Sequence, residues 1–458
     1  MTPRQPRDGP SRFRCQFLPR WSGSDRALPF IRSTKVVFAG PRGEMRERET
    51  LSSRFRVALL GFGTVGSAVA RRLVETTAAD GGALPKFQLT HVFDRRADEK
   101  RDAWHAAGLA ARCESPTAFG IPGAAATPGA PAGGSPGLGA TPDFHHVPLT
   151  WTTRIEDVLQ SDADLVVEAI GGVEPAADWI RAALAAGKSV VTANKQVMAR
   201  HGFALLTLAA RQGRQLRFEA AVGGAMPIVR ALGEGLAGDR ITRVVAILNG
   251  TTNAVFSRME ATGCSLEEAL GDARARGYAE ADPSADLDGS DARAKLAILC
   301  ALAFGLRVDP SHIATRSSAW LAADDFARAR ARGGTVRQLA HAEYDRAASV
   351  LTAWVAPAFV TCHSFFGKTT GAQNAALITG AHSGETGIFG AGAGGGATAV
   401  AVMSDIVAIA RDRSAIVPPP VLTSDFRVQI ADLSAETSAL SVETPELHVE
   451  TSRLLEAV

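Results

Sequence analysis

Val57-Ala-Leu-Leu60 is a short unbroken apolar run, and glycines at 61, 63 and 66 separate it from apolar positions that recur at helical spacing between Ser67 and Val74. A run of that length bounded by glycine predicts a buried strand, and the 3.6-residue period after it predicts a helix. Gln88-Leu-Thr-His-Val-Phe-Asp94 predicts a second strand. Further along, Ala163-Asp-Leu-Val-Val-Glu168 gives way to Gly171-Gly172, a helix over Ala176 to Ala186, and another strand ending at Thr192 just before Asn194 and Lys195. Strands alternating with helices predict a parallel sheet covered on both faces, an α/β fold of Rossmann type. The strands that end near Ile170 and Thr192 then point the same way, and ligands bind outside such C-terminal ends.

The pattern changes after residue 240. Ile241 to Leu248 reads as a strand, Thr251 to Met259 as a helix and Ala292 to Phe304 as a strongly apolar helix, with strand character at Val350–Val355 and Asn374–Gly380. This predicts a second domain of α+β build. Between its first elements, Tyr278 to Lys295 gathers Glu280, Asp282, Asp286, Asp288 and Asp291 around Pro283 and Gly289 before entering the apolar helix. A helix beginning near Ser290 places Asp291 and Lys295 on one face, one turn apart. Taken alone, such a segment is a solvated turn with a weak surface ion pair. A calcium loop is excluded, because Lys295 falls where the twelfth position needs a bidentate glutamate.

Gly61-x-Gly63-x-x-Gly66 stands between a predicted strand and a predicted helix, the context that makes this spacing a dinucleotide fingerprint. Gly61 allows the tight turn, Gly63 lets a pyrophosphate approach the backbone, and Gly66 lets helix and strand pack closely. Phosphates then lie at the helix N-terminus, beside the backbone of Phe62, Thr64 and Val65. Asp94 ends the second strand, where an acid binds the ribose hydroxyls of NAD, while Arg95 and Arg96 are suited to the 2′-phosphate of NADP. The cofactor is therefore NAD or NADP, with the choice open.

Composition narrows the class. A chain of 458 residues predicts two or three domains, and 46% hydrophobic residues fill more than one core. A net charge of +2 argues against a nucleic-acid or membrane surface as partner. No apolar run has the length of a bilayer span. The five cysteines (Cys15, Cys113, Cys264, Cys300, Cys362) are scattered without C-x-x-C spacing, a pattern of reduced thiols that predicts a cytoplasmic protein.

Four motifs stand in one order: Thr192-Ala-Asn-Lys195, Glu219-Ala-Ala-Val222-Gly-Gly-Ala-Met-Pro227, Leu248-Asn-Gly-Thr-Thr-Asn253, and the acidic run from Gly277 to Lys295. With the glycine-rich Gly390–Gly396 leading to Met403-Ser-Asp405, the chain resembles the homoserine dehydrogenase family from about Phe55 to Arg411. The resemblance implies interconversion of L-homoserine and L-aspartate 4-semialdehyde, a step toward threonine, isoleucine and methionine. It implies Lys295 as the acid that protonates the nascent alkoxide and Lys195 between nicotinamide and substrate. Asp291 would orient the ammonium groups, Glu280 and Asp286 would bind substrate, and Gly392 would lie at the cofactor. It also implies a monovalent cation, sodium, held by the Glu219 carboxylate and the carbonyls of Val222, Gly224 and Met226, and a homodimer or dimer of dimers. The rival is another Rossmann-type NAD(P)-dependent oxidoreductase acting on a different amino-acid aldehyde.

On this reading residues 1–52 form a disordered basic extension, with Met45 as the alternative start. Residues 53–196 form the nucleotide-binding domain, interrupted by an Ala/Gly/Pro-rich insert at 115–148 that buries too little apolar surface to order. Residues 197–389 form the substrate and dimerisation domain, 390–417 return to the first domain, and 418–458 are a tail. Pro418-Pro-Pro420 is expected to end the last helix. The tail is too short for the regulatory amino-acid-binding domain that some members append, and a monofunctional chain is expected.

Overall fold

The computed structural model describes residues 55–79, 86–107, 149–279, 282–429, 431 and 433. The expected 1–52 extension, the 115–148 insert and Glu280 lie outside these residues.

The first sheet has six strands: β1 (Phe55–Leu60), β2 (Phe87–Phe93), β3 (Thr150–Thr152), β4 (Leu165–Glu168), β5 (Ser189–Thr192) and β6 (Leu216–Arg217). They run in the order β3-β2-β1-β4-β5-β6 and every neighbouring pair is parallel. Alternate residues of β1 enter different cores: Ala58 and Leu60 join one cluster, Val57 and Leu59 the other. Burial on both faces is why the strand reads as continuous apolar sequence. Helices α2 (Ala176–Ala185) and α3 (Lys195–Arg211) fill one face, with Ile180, Leu184 and Leu205 in the first cluster. On the other face α1 (Thr64–Ala79) lies against the last helix.

Strand order reverses between β1 and β4, the switch point of this architecture. Register aligns Leu60 with Glu168 and Glu168 with Thr192, so three strands end level and open onto one cleft. The sixth strand lies past the boundary expected at residue 196, because α3 carries the chain back for two more parallel residues. So short a strand leaves no periodicity to read.

The second sheet is mixed: β7 (Ile241–Ile247), β8 (Ala314–Thr315), β9 (Gly334–Asp345), β10 (Val350–Thr361), β11 (Gln373–Gly380), β12 (Gly384–Ala391) and β13 (Arg427–Gln429). Its order is β12-β11-β7-β9-β10-β13, with β8 also pairing β10. Helix α5 (Ser290–Phe304) crosses one face, where Leu296 and Cys300 pack among Val244, Ala246, Ala340 and Val355. Beside it α4 (Gly250–Thr262) packs with the Ala323–Ala331 helix around Phe256 and Phe326. Beyond β12 the chain forms α6 (Gly395–Arg411), whose Ala399, Val402 and Ile406 join the α1 side of the first sheet.

Two details correct the sequence reading. Helix α6 stops at Arg411 rather than at the prolines, because the Asp412 carboxylate turns the chain by accepting from the Ser414 and Ala415 N–H groups. The expected tail also contributes β13, parallel to β10.

Glycine in the β1–α1 turn is required for two different reasons. Gly61 has φ +92°, and a Cβ there would lie 2.8 Å from the Ala169 carbonyl oxygen. At Gly66 a Cβ would lie 2.0 Å from the Gly61 carbonyl oxygen. Gly66→Ala is therefore expected to cost about 1–3 kcal/mol through forced backbone movement, seen as a lower urea midpoint. Gly63→Ala, whose methyl meets open space, should unfold close to the unsubstituted chain.

Candidate active site

A cleft of about 540 Å³ opens where the first sheet's strands end, and five helices, α6 with Gly395 among them, present their N-termini to it. Thr64 and Val65 begin α1, Lys195 begins α3, Gly250 and Thr251 begin α4, and Asp291 lies in the first turn of α5. Free N–H groups and the helix dipoles make such a convergence favourable to anions. Local sequence fixes two of these starts. Asn194 caps α3 by accepting from Val197 N–H at 3.1 Å, and Asn249 caps α4 by accepting from Thr252 N–H at 2.7 Å.

The two lysines meet on one carboxylate. Lys195 Nζ lies 2.8 Å from Asp291 Oδ1, and Lys295 Nζ lies 2.7 Å from Asp291 Oδ2. Lys295 also donates to the Leu248 carbonyl at 2.8 Å. Asp291 is buried, Lys295 nearly so, and Lys195 is partly open to solvent. Burial alone would raise the Asp291 carboxyl, but the two ammonium groups outweigh it and hold it well below the usual carboxylate range. Asp286, five residues earlier in the chain, shifts the other way. Burial raises it, the Asn249 hydrogen bond opposes that, and the Asp291 charge adds to the rise.

The glycine loop leaves room for a ligand. Gly63 has open space at the position of its absent side chain, and Thr64 and Val65 line the cleft beside Gly392 and Gly395. Phe62, by contrast, is buried, edge-on to Trp104 and Trp151. The space, the exposed N–H groups and the close Gly61–Gly66 contact fit a dinucleotide pyrophosphate. Asp94 is already engaged: Oδ2 accepts from Phe62 N–H at 2.8 Å and Oδ1 from Arg96 N–H at 2.9 Å. Arg95 is exposed, and Arg96 pairs with Glu99 at 3.6 Å.

The Glu219 carboxylate, expected at a cation, is engaged by backbone donors. The Glu219 carboxylate accepts from Val229 N–H at 2.8 Å and Arg230 N–H at 2.9 Å. Both oxygens of the Glu219 side chain thus already accept from backbone N–H groups. Met226 carbonyl already accepts from Ile228 N–H at 2.9 Å. Val222 and Gly224 line the cleft, and Glu219 is not among its lining residues. Burial and the facing Asp405 push Glu219 up to about 7, and burial pushes Asp405 up to about 6. Among the described residues no group of three or more His, Cys, Asp or Glu is arranged to hold a metal.

Three functional-site residues carried no role in the sequence reading. Asn249 donates to both Asp286 and Asp291. Thr251 Oγ1 donates to the Tyr278 carbonyl at 2.6 Å and so ties the acidic loop to α4. Asp405 accepts from Glu219 N–H at 2.9 Å and pairs with Arg230. Asn-Gly-Thr at a strand's end is a capping signal, but nothing local to Asp405 announces its partners.

A homoserine dehydrogenase family model matches residues 227–407, and a model of the homoserine dehydrogenase NAD-binding domain matches residues 139–219. The homoserine dehydrogenase of Mycobacterium tuberculosis is 43% identical over 266 residues, covering 57% of this chain and 60% of that protein. That of Bacillus subtilis is 38% identical over 262 residues, with coverage of 57% and 60%. The match thus spans about 60% of the length of these curated relatives. The crystal structure of a homoserine dehydrogenase from Thiobacillus denitrificans superposes with TM-score 0.66 and 31% identity, over 83% of this chain and 80% of that one. A hyperthermophilic archaeal homoserine dehydrogenase in complex with NADPH gives TM-score 0.58 and 25% identity, over 79% and 98%.

Asp291→Ala strands a buried ammonium at Lys295. The expected cost near neutral pH is about 3 kcal/mol, the lower end for a broken buried pair because Lys195 reaches solvent. The folded-state pKa of Asp291 is depressed, so its stabilisation is complete above the ordinary carboxylate pKa of about 4 and fades as pH falls below that. Urea unfolding at neutral pH and at about pH 3 should therefore show the gap between variant and unsubstituted chain closing on acidification.

Proposed function

The chain belongs to the homoserine dehydrogenase family, and from that premise we propose that it interconverts L-homoserine and L-aspartate 4-semialdehyde with NAD or NADP. The observation that carries this reading is the Lys195–Asp291–Lys295 array, set in one cleft with the open glycine loop of α1. When bound, the nicotinamide exchanges a hydride with the carbon that bears the substrate oxygen.

Reduction of the aldehyde leaves negative charge on that oxygen, and a proton placed there lowers the barrier. An ammonium has three donors. Lys295 uses one on the Leu248 carbonyl and one on Asp291, which leaves one N–H for the substrate oxygen. As the C=O π pair moves to oxygen, Lys295 delivers its proton and the alcohol forms. In the oxidative direction neutral Lys295 takes the hydroxyl proton. Asp291 holds both amines in place, and Lys195, at the start of α3, adds positive charge beside the reacting oxygen. Asp286 meets the substrate ammonium together with Glu280.

We read the chain as a homodimer or dimer of dimers joined through the second sheet. Support comes from β12, whose outer edge is unpaired among the described residues and whose Phe389 is 64% exposed. A cytoplasmic location agrees with unpaired Cys264, Cys300 and Cys362. No helix among the described residues is long and apolar enough to cross a membrane.

The test follows absorbance of the reduced nicotinamide with L-homoserine and a panel of other amino alcohols, using each cofactor. L-Homoserine is expected to be oxidised fastest; an inert L-homoserine beside another active amino alcohol refutes the assignment. Lys295→Met should lower kcat by roughly 100-fold or more, the scale of a lost general acid. Near-normal turnover in that variant would remove Lys295 from the proton-transfer role.

A further inference from the structure

The chain has four asparagines, Asn194, Asn249, Asn253 and Asn374, and all are buried. Asn253 and Asn374 spend their amide N–H groups on backbone carbonyls, and Asn194 on the Gly172 carbonyl and Glu168. Asn249 differs, because its nitrogen serves two carboxylates, 2.6 Å from Asp286 Oδ1 and 2.9 Å from Asp291 Oδ2. Its orientation is fixed by the other end of the amide. Oδ1 accepts from Thr252 N–H at the start of α4. A flip would set NH2 against that N–H and the amide oxygen against two acids.

We propose that Asn249 is a positioning residue that divides the work of the two carboxylates, turning Asp291 onto the lysines while holding Asp286 in the cleft for the substrate ammonium. This rests on the functional reading above for the identity of the substrate group. Among the described residues the groups facing Asp286 are Asn249 at the cap of α4, Asp291 and Lys295 on α5, and Lys195 on α3. Thr252 Oγ1 and Gln338 Nε2 hold the Asp286 backbone carbonyl, not its side chain. Asn249 is thus an uncharged donor that, with the two lysines, favours the Asp286 carboxylate against burial and the Asp291 charge, which together raise it.

Asn249→Ser separates capping from positioning. A serine hydroxyl still caps α4 but gives neither carboxylate the same donor. The expected result is a KM for L-homoserine raised about tenfold, the scale of one lost hydrogen bond to a charged group, with kcat less affected. The acid limb of kcat/KM should move to higher pH as Asp286 holds its proton more tightly. A residue that only caps the helix would leave both the KM and the pH profile unmoved, and that result overturns the proposal.

A second measurement needs no turnover. Protein labelled with 15N at asparagine shows four side-chain amides. The Asn249 signal should shift with pH as Asp286 titrates, and should lose that transition in Asp286→Ser, which cannot titrate and adds no amide; this assigns it even if Asn249→Ser fails to fold. A signal flat with pH, or one unchanged by Asp286→Ser, refutes the link. Failure to oxidise L-homoserine alongside a titrating Asn249 signal overturns the functional reading and supports the Asn249–Asp286 link.

Discussion

The site depends on one buried anion placed between two cations. Removing a carboxylate and two ammonium groups from water is costly, and the cost is recovered only when the geometry is close and the remaining donors find partners. Asp291 meets both demands. One oxygen faces Lys195, the other faces Lys295 and Asn249, and Lys295 finds a further acceptor in the Leu248 carbonyl. Because Lys195 belongs to the helix after β5 and Lys295 to the helix under the second sheet, the contact also fixes how α3 and α5 lie against one another. Chemistry and architecture share the same three side chains.

Environment, not residue type, separates the acids of this region. Asp286 and Asp291 are both aspartates in the same short acidic segment, yet burial raises the first while two ammonium groups depress the second. Glu219 and Asp405 form a second contrast. Their partners are backbone N–H groups and the Arg230 guanidinium. Only the first of these acidic pairs lines the cleft; the second is buried away from it.

Much of this was legible in residue order. β1, β4 and β5 are buried on both faces, so their sequences are continuous apolar runs. Asp291 and Lys295 are joined by helical spacing, and α5 brings them together as that spacing requires. What joins Lys195 to them is the path of the chain through two sheets, which no local pattern encodes; only the resemblance of whole motifs carried it. β6 and β13 are two and three residues long, below the length at which alternation can be read. Glu219 was assigned to a cation because an acid beside glycines and carbonyls suits one. The backbone partners of its carboxylate had one local sign, Pro227, which starts a helical turn and leaves the Val229 and Arg230 N–H groups free for a carboxylate.

The return of α6 to the first sheet has a consequence for biogenesis. Val57, Leu59, Val69 and Leu73 share their core with Ala399, Val402, Met403, Ile406 and Ile409. One flank of the amino-terminal sheet therefore stays uncovered while β7 to β12 are being translated, and it closes only when residues near 400 leave the ribosome. Contacts so distant along the chain form late, and the exposed apolar flank is open to aggregation until they do. The nascent protein thus has its greatest need of chaperone protection before its last long helix emerges.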